Sequence, residues 1–175
     1  MGIPTYPSKA TLFIAFLFRD AVKVDEIMIL LQEQFGSVDC SYGPIPFSFT
    51  DYYRSEMGDD LQKLYLTFAR PIQRDDLAVI KTYTNELEQR YGRAGSRMVN
   101  IDPGYITRDK LVLASTKDFY HRIYLSQGIF AEVTLHYRKG LFRFFSWTYP
   151  DYKTPAFLAF LSKARARLVK DLRGE

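Results

Sequence analysis

The stretch that most constrains the fold is residues 11–18, Thr-Leu-Phe-Ile-Ala-Phe-Leu-Phe, in which only the first side chain is polar. A strand that faces water on one side alternates apolar and polar residues, whereas a strand covered on both sides is apolar throughout. The stretch is also far shorter than the roughly 20 residues that span a bilayer, so it predicts no membrane helix. It therefore predicts a central strand of a sheet with a packed layer on each face.

Two amphipathic helices are predicted in the first half of the chain. The first ends at Gly36 and the second at Gly92, because glycine readily adopts the left-handed backbone conformation found at helix ends. Asp75 and Asp76 suit the positive end of the second helix dipole. The apolar stripes have the spacing of one helix face and consist of Val24, Ile27, Met28, Leu31 and Phe35 in the first helix and Leu77, Ile80, Thr84, Leu87 and Tyr91 in the second.

Three further strands are predicted around these helices, over residues 39–53, 61–69 and 97–101. The first contains Pro44 and Pro46, and proline restricts a strand to the edge of a sheet or to a bulge. The resulting order is strand, helix, strand, strand, helix, strand. This order is that of the ferredoxin-like split βαβ arrangement.

The second half of the chain is predicted to add a meander and a final helix. Residues 102–105 are typical of a turn, and residues 107–115 are predicted as a short helix, although a strand over residues 111–113 fits as well. From residue 120 onwards three strands are separated by turns at Gly128 and Gly140. From Pro155 an amphipathic helix ends the chain. The predicted fold is a single α+β domain over residues 1–175, with a ferredoxin-like split βαβ core extended by an antiparallel C-terminal β-meander and a terminal amphipathic helix.

The meander register predicts which side chains share a face. Side chains meet one to one across an antiparallel pair. Pairing Leu125 with Ile129 across the first turn places Tyr124 opposite Phe130 and Arg122 opposite Glu132. A two-residue turn at Gly140 places His136 opposite Arg143 and Glu132 opposite Trp147. Alternation then points His121 towards the core, as a buried histidine rather than a base. The expected core face contains Ile123, Ile129, Ala131, Val133, Leu135, Phe142 and Phe144, and the other face contains Arg122, Glu132, Thr134, His136, Arg143 and Trp147.

This second face is either a solvated surface or the floor of a site. Residues 115–118 precede the meander and residues 147–152 follow it, so the two loops are expected at one end of the sheet. Their positive charge and aromatic rings suit a phosphate-bearing ligand, a nucleotide or a short RNA. The net charge of +4 favours an anionic partner slightly. The expected ligand-binding residues are Lys117, Asp118, Arg122, Arg143, Trp147, Tyr149, Asp151 and Tyr152.

Two other functions remain open on the sequence. In the first, the chain is a hydrolase or transferase in which Glu132 acts as a base or a metal ligand, while Lys117 and Arg122 stabilise negative charge. In the second, exposed aromatic residues make the chain a protein-assembly module. No dedicated metal site is predicted, because the lone Cys40 and two histidines are too few. The cofactor and the oligomeric state are left open, and the absence of a secretion signal makes the cytoplasm the expected location.

Several strings resemble one family: residues 100–105 (NIDPGY), 111–118 (LVLASTKD), 121–125 (HRIYL), 131–135 (AEVTL) and 147–152 (WTYPDY), together with residues 47–53 and 84–88. The chain resembles the bacterial domain-of-unknown-function family numbered 4416 over nearly its whole length. The resemblance implies no settled activity, although some members bear the label of GTP-binding protein. The phosphate-binding loop Gly-x-x-x-x-Gly-Lys-Ser/Thr is absent from this sequence, so a P-loop GTPase is excluded. A nucleotide held in another way stays open.

Overall fold

The apolar run near the N-terminus forms strand β1 (Ala10–Arg19), whose first nine residues are buried. The computed structural model describes residues 2–19, 24–93 and 95–174. Two short 3-10 helices cover Arg74–Asp76 and Pro150–Lys153. The other elements are α1 (Val24–Phe35), β2 (Val38–Pro46), α2 (Arg54–Met57), β3 (Leu61–Ile72), α3 (Leu77–Arg90), β4 (Val99–Ile106), β5 (Lys110–Ser115), β6 (Ile123–Ser126), β7 (Ile129–Arg138), β8 (Leu141–Phe144) and α4 (Pro155–Asp171).

The described strands form one antiparallel sheet in the order β2-β3-β1-β4-β5-β7-β6, and β8 pairs with the end of β7. Strand β1 lies between β3 and β4, in the central position that its composition predicts. The first four strands, with α1 and α3, have the connectivity and strand order of the ferredoxin-like split βαβ unit. The predicted α+β class, with its C-terminal meander and final helix, is confirmed.

Both faces of β1 are covered, as the unbroken apolar run predicts. On one face Leu12 and Ile14 share a core with residues of α1 and α3. On the other face Phe13 and Ala15 share a core with α4, including Phe157. The two layers leave β1 without a solvent-facing side, which explains why no alternation appears in its sequence.

Two predictions between residues 102 and 115 are wrong. Residues 102–105 lie inside β4 rather than in a turn, and residues 110–115 form β5 rather than a helix. The glycine in this segment serves close packing of strands: a Cβ at Gly104 would lie 2.2 Å from the Val112 carbonyl oxygen of β5. Pro103 is paired with Ile14 of β1. The alternative strand over residues 111–113 is confirmed, and the strand predicted over residues 39–53 ends at Pro46.

The predicted meander turns are both present. Gly128 and Gly140 have φ values of 74° and 81°, as the left-handed turn conformation requires. The predicted pairs Tyr124–Phe130 and His136–Arg143 are confirmed. The first turn is shorter than predicted, because Ser126 rather than the preceding leucine pairs with Ile129.

The predicted division of the meander into two faces is partly wrong. Ile123 and Phe144 were expected in the core but are 73% and 56% exposed, whereas Thr134 is fully buried. The register of β7 against β5 slips by one residue, so Leu111 pairs with Leu135 but Val112 pairs with Val133. A bulge of this kind inserts one unpaired residue and breaks the strict alternation on which the prediction rests.

Candidate functional site

The sheet splits between β4 and β5. These strands pair over only three residue pairs, from Gly104–Leu113 to Ile106–Leu111. At the start of β4 two side chains of α3 take the place of a neighbouring strand. The Lys81 ammonium donates to the Ile101 carbonyl oxygen at 2.8 Å, and the Glu88 carboxylate accepts from the Ile101 N–H at 2.7 Å. Because the N–H and the carbonyl group of Ile101 are both satisfied by side chains, the strands can stay apart without leaving these backbone groups unpaired.

A cavity of about 500 Å³ occupies this split. Its walls come from β3, α3, β4, β5 and β7, and from the loops over residues 47–53, 116–122 and 149–152. This volume is in the range of small-molecule sites, roughly 300–1,000 Å³. The wall carries both signs of charge, with the cations Lys63, Lys81, Arg97, Lys117 and Arg122 and the carboxylates Glu88, Asp102, Glu132 and Asp151.

One buried ion pair attaches the loop over residues 149–152 to the sheet. Lys63 Nζ lies 3.4 Å from Asp151 Oδ2, and the Tyr65 hydroxyl donates to the same oxygen at 2.8 Å. The Lys63 ammonium also lies 4.9 Å from the ring centre of Phe47 and 5.7 Å from that of Tyr152. Burial and the Asp151 charge raise the pKa of the Tyr65 hydroxyl, so it remains a donor. Asp151 therefore holds this loop in place through a charge and a hydrogen bond.

A second network places Asp102 in the cavity. Asp102 Oδ1 lies 3.3 Å from Lys81 Nζ, and Oδ2 accepts from the Asn100 amide at 2.6 Å. Arg97 donates to Asn100 at 2.7 Å and to both carboxylate oxygens of Glu56 at 2.8 and 2.7 Å. Burial alone would raise the pKa of the Asp102 carboxyl, but the positive charge of Lys81, aided by other neighbours, holds this pKa below its ordinary value.

The lowered pKa of Asp102 predicts a pH-dependent contribution to stability. A carboxyl with a depressed folded-state pKa stabilises the fold above its ordinary pKa of 3.8 and loses that effect as the pH falls through the folded-state value. The unfolding free energy of the Asp102→Asn variant should therefore differ most from that of the unchanged protein at about pH 7 and less at about pH 3. Urea unfolding of both proteins measures this difference, and an equal difference at the two pH values would contradict the assignment.

A third cluster surrounds Glu132, which is buried on β7. Its Oε2 atom accepts from Arg122 Nε at 2.9 Å and lies 3.0 Å from His121 Nε2. Thr134 donates to the other oxygen at 3.4 Å. The His121 ring stacks on the indole of Trp147, with centroids 4.9 Å apart and planes 10° apart. The predicted guanidinium neighbour of Glu132 is present, but an imidazole stands between Glu132 and the indole.

His121 is buried as predicted, with its side chain 8% exposed, but it faces Glu132 rather than the apolar core. Residues 119–122 form a turn before β6, in which the Arg122 N–H donates to the Phe119 carbonyl at 2.9 Å. Strand alternation does not apply within a turn, so His121 and Arg122 reach the same carboxylate of Glu132.

The outer wall of the cavity consists of the exposed residues Lys117, Tyr52 and Tyr149, together with Arg122, which contacts Lys117. Lys117 Nζ donates to the Tyr52 hydroxyl at 2.6 Å and lies 4.7 Å from the centre of that ring. The hydrogen bond and the charge of Lys117 lower the pKa of Tyr52. Arg122 donates to the Lys117 carbonyl at 2.9 Å, and burial raises the pKa of the neighbouring Tyr149. Within the described residues, Lys117 forms no ion pair with a carboxylate.

Residues 8–168 match the model of a protein family described as Domain of unknown function (DUF4416). The chain belongs to this family. The match covers nearly all of the 175 residues and confirms the resemblance drawn from the sequence strings. No curated protein and no solved structure gives a match. The family description names no ligand and no reaction, so the function of this DUF4416 protein has to be argued from its cavity.

The cavity of the DUF4416 domain contains six of the nine side chains that the sequence nominates for a site: Lys117, Arg122, Glu132, Tyr149, Asp151 and Tyr152. The two loops that carry most of them both contribute to its wall. Asp118, Arg143 and Trp147 do not line it. Arg143 and Asp118 are exposed, and Trp147 packs behind His121, where its indole N–H donates to the Val133 carbonyl at 3.0 Å.

Other cavity residues were missed by the sequence analysis. Lys63 lies on the face of β3 opposite Leu64 and Leu66, where an alternating strand allows a polar residue, so the sequence gives no signal for it. Lys81 and Glu88 lie in register with Leu77 and Thr84 on the buried stripe of α3. Charged residues on a buried face are rare unless they are paired, and this pattern was the available signal for the network of Lys81 and Glu88. Asp102 was interpreted as a turn residue because of the Pro-Gly that follows it.

In residues 2–19, 24–93 and 95–174, no three His, Cys, Asp or Glu side chains are grouped so that they could hold a metal ion. None of the helices described combines the length and the apolar character that crossing a bilayer requires.

Proposed function

We propose that this protein binds a small phosphate-bearing ligand, a nucleotide, in the cavity between β4 and β5. The observation that carries this proposal is the pair Lys117 and Arg122 at the outer wall, where Lys117 forms no ion pair with a carboxylate of the described residues. Cationic side chains bind phosphate through charge-assisted hydrogen bonds. The rings of Tyr52 and Tyr149 beside them suit contact with a sugar or a base.

The shape of the site favours a nucleotide over a short RNA. Proteins that bind single strands use a charged groove that follows the backbone over several nucleotides. Here the charged and aromatic side chains line a cavity of about 500 Å³, which suits one small molecule. We propose a cytoplasmic location, where nucleotides are available.

The arrangement around Glu132 favours binding over catalysis by this residue. A general base needs a carboxylate oxygen that can reach the reacting proton. Glu132 is 4% exposed, and its two oxygens already contact Arg122, His121 and Thr134. Its role in this proposal is to orient Arg122 at the cavity wall.

The proposal predicts that Lys117→Met weakens nucleotide binding by about tenfold or more, because a hydrogen bond to a charged group is worth about 1.5–3 kcal/mol. Isothermal titration of nucleoside 5′-mono- and diphosphates into both proteins measures this. Lys163→Met, which removes an exposed lysine of α4 outside the cavity, is the matched control and should bind as the unchanged protein does. Absence of binding by the unchanged protein, or equal affinity of the Lys117→Met variant, would overturn the proposal.

A further inference from the structure

We propose that Asp102 binds the end of the ligand opposite the phosphate, by accepting hydrogen bonds from donor groups such as ribose hydroxyls or a base amino group. This inference rests on the proposed function and deepens it, because it states how the ligand is oriented and which part of it is recognised. It follows from the exposure of Asp102, its remaining hydrogen-bonding capacity and the distribution of paired charges in the cavity.

Asp102 is the accessible carboxylate of the cavity wall. Its side chain is 29% exposed, whereas those of Glu88, Glu132 and Asp151 are at most 8% exposed. The three buried carboxylates serve as internal partners of Lys81, Arg122 and Lys63. Asp102 alone among the four combines a fixed position with open surface towards a ligand.

Both carboxylate oxygens of Asp102 can accept further hydrogen bonds. Oδ1 contacts Lys81 and Oδ2 accepts from Asn100. An ionised carboxylate has about four acceptor sites and no donor. The remaining sites therefore select a ligand group that carries hydroxyl or N–H donors, and they disfavour a second phosphate.

The ion pairs of the cavity also favour an orientation in which the phosphate lies at Lys117 and not at Asp102. Four cavity cations are each paired with a carboxylate: Lys63 with Asp151, Lys81 with Asp102 and Glu88, Arg97 with Glu56, and Arg122 with Glu132. Lys117 is the cavity cation without such an ion pair among the described residues. The phosphate is therefore attracted to Lys117, which leaves the uncharged part of the ligand for Asp102.

Asn85 supplies a second polar group to the cavity wall, one helical turn from Lys81. It lies on α3 between Lys81 and Glu88, lines the cavity and is half-buried. Within the described residues its amide has no hydrogen-bond partner. An amide offers both donors and an acceptor, so Asn85 complements the acceptor-only carboxylate of Asp102.

The experiment is a cycle of protein and ligand changes, followed by isothermal titration. The ligands are a ribonucleoside 5′-monophosphate, its 2′,3′-dideoxy counterpart, and a matched pair of nucleotides with and without an exocyclic amino group. The proteins are the unchanged chain, Asp102→Asn, and Asp171→Asn as an exposed control outside the cavity. Removing the recognised donor should weaken binding to the unchanged protein and to the control by about tenfold, and should have little effect on Asp102→Asn.

The outcomes separate the two proposals. If removal of the ribose hydroxyls weakens binding to the unchanged protein but not to Asp102→Asn, Asp102 contacts the ribose. If removal of the exocyclic amino group has this effect, Asp102 contacts the base. If Lys117→Met weakens binding but neither ligand change does so in the unchanged protein, the proposed function stands and the role of Asp102 is overturned. This comparison holds even if Asp102→Asn fails to fold, because it uses the unchanged chain. If no nucleotide binds, both proposals fall.

Discussion

Replacement of Asp151 by alanine is expected to lower the free energy of unfolding by about 3–5 kcal/mol, because it leaves one partner of a buried ion pair without compensation. The Lys63 side chain is 5% exposed, and Asp151 is its ion-pair partner in the described chain. The Tyr65 hydroxyl loses the same acceptor. For a chain of this size the loss corresponds to a fall in Tm of roughly 6–20 °C. Thermal and urea unfolding measure both quantities.

A double variant tests whether the uncompensated charge is the cause. Replacing a buried ion pair by apolar residues of similar volume is often neutral or stabilising. Lys63→Met combined with Asp151→Leu should therefore recover most of the stability that Asp151→Ala loses. A loss of less than about 1 kcal/mol for Asp151→Ala would show that the ion pair does not hold the 149–152 loop in place.

Gly104→Ala is expected to lower the free energy of unfolding by about 3 kcal/mol or more, at the upper end of the cost of overpacking a core. A Cβ at this position would lie 2.2 Å from the Val112 carbonyl oxygen and 2.7 Å from a methyl group of Leu113. The carbonyl belongs to the backbone of β5, so it cannot move aside as a flexible side chain would. The pairing of β4 with β5 spans only three residue pairs, so a displacement of these strands would disrupt all of their pairing. Urea unfolding measures the loss.

Gly140→Ala separates this steric effect from the general cost of replacing glycine. Gly140 has a φ of 81° and open space where its Cβ would lie. Its replacement should cost about 1–2 kcal/mol, the price of a left-handed backbone alone. If Gly104→Ala costs no more than Gly140→Ala, the close approach of β4 and β5 is contradicted.

The elements that the sequence predicts correctly are those in which local pattern and tertiary position agree. Residues 11–18 form a central strand because the sheet is covered on both faces, and Gly36 ends α1 with a φ of 90°. Residues 103–104 are wrongly predicted as a turn, since Pro-Gly is typical of turns. In the structure Pro103 pairs with Ile14 within β4, and the missing Cβ of Gly104 leaves room for the backbone of β5. Such a close approach between strands leaves no local signal.

The sequence likewise predicts only part of the candidate site. Lys117, Arg122 and Tyr149 were nominated because two loops that flank a meander are expected at the same end of a sheet. The pairing of Lys63 with Asp151 joins positions 88 residues apart, from 63 to 151, which no periodicity predicts. The split between β4 and β5 also depends on Lys81 and Glu88 reaching the Ile101 peptide across the layers. Only the folded chain shows that these charges share one cavity.

The most direct test of the proposed site is a crystal structure of the protein grown with a nucleoside 5′-monophosphate. We expect the nucleotide to lie between β4 and β5, with phosphate oxygens within hydrogen-bond distance of Lys117 Nζ and the Arg122 guanidinium. A nucleotide bound at another surface, with this cavity holding only water, would contradict it.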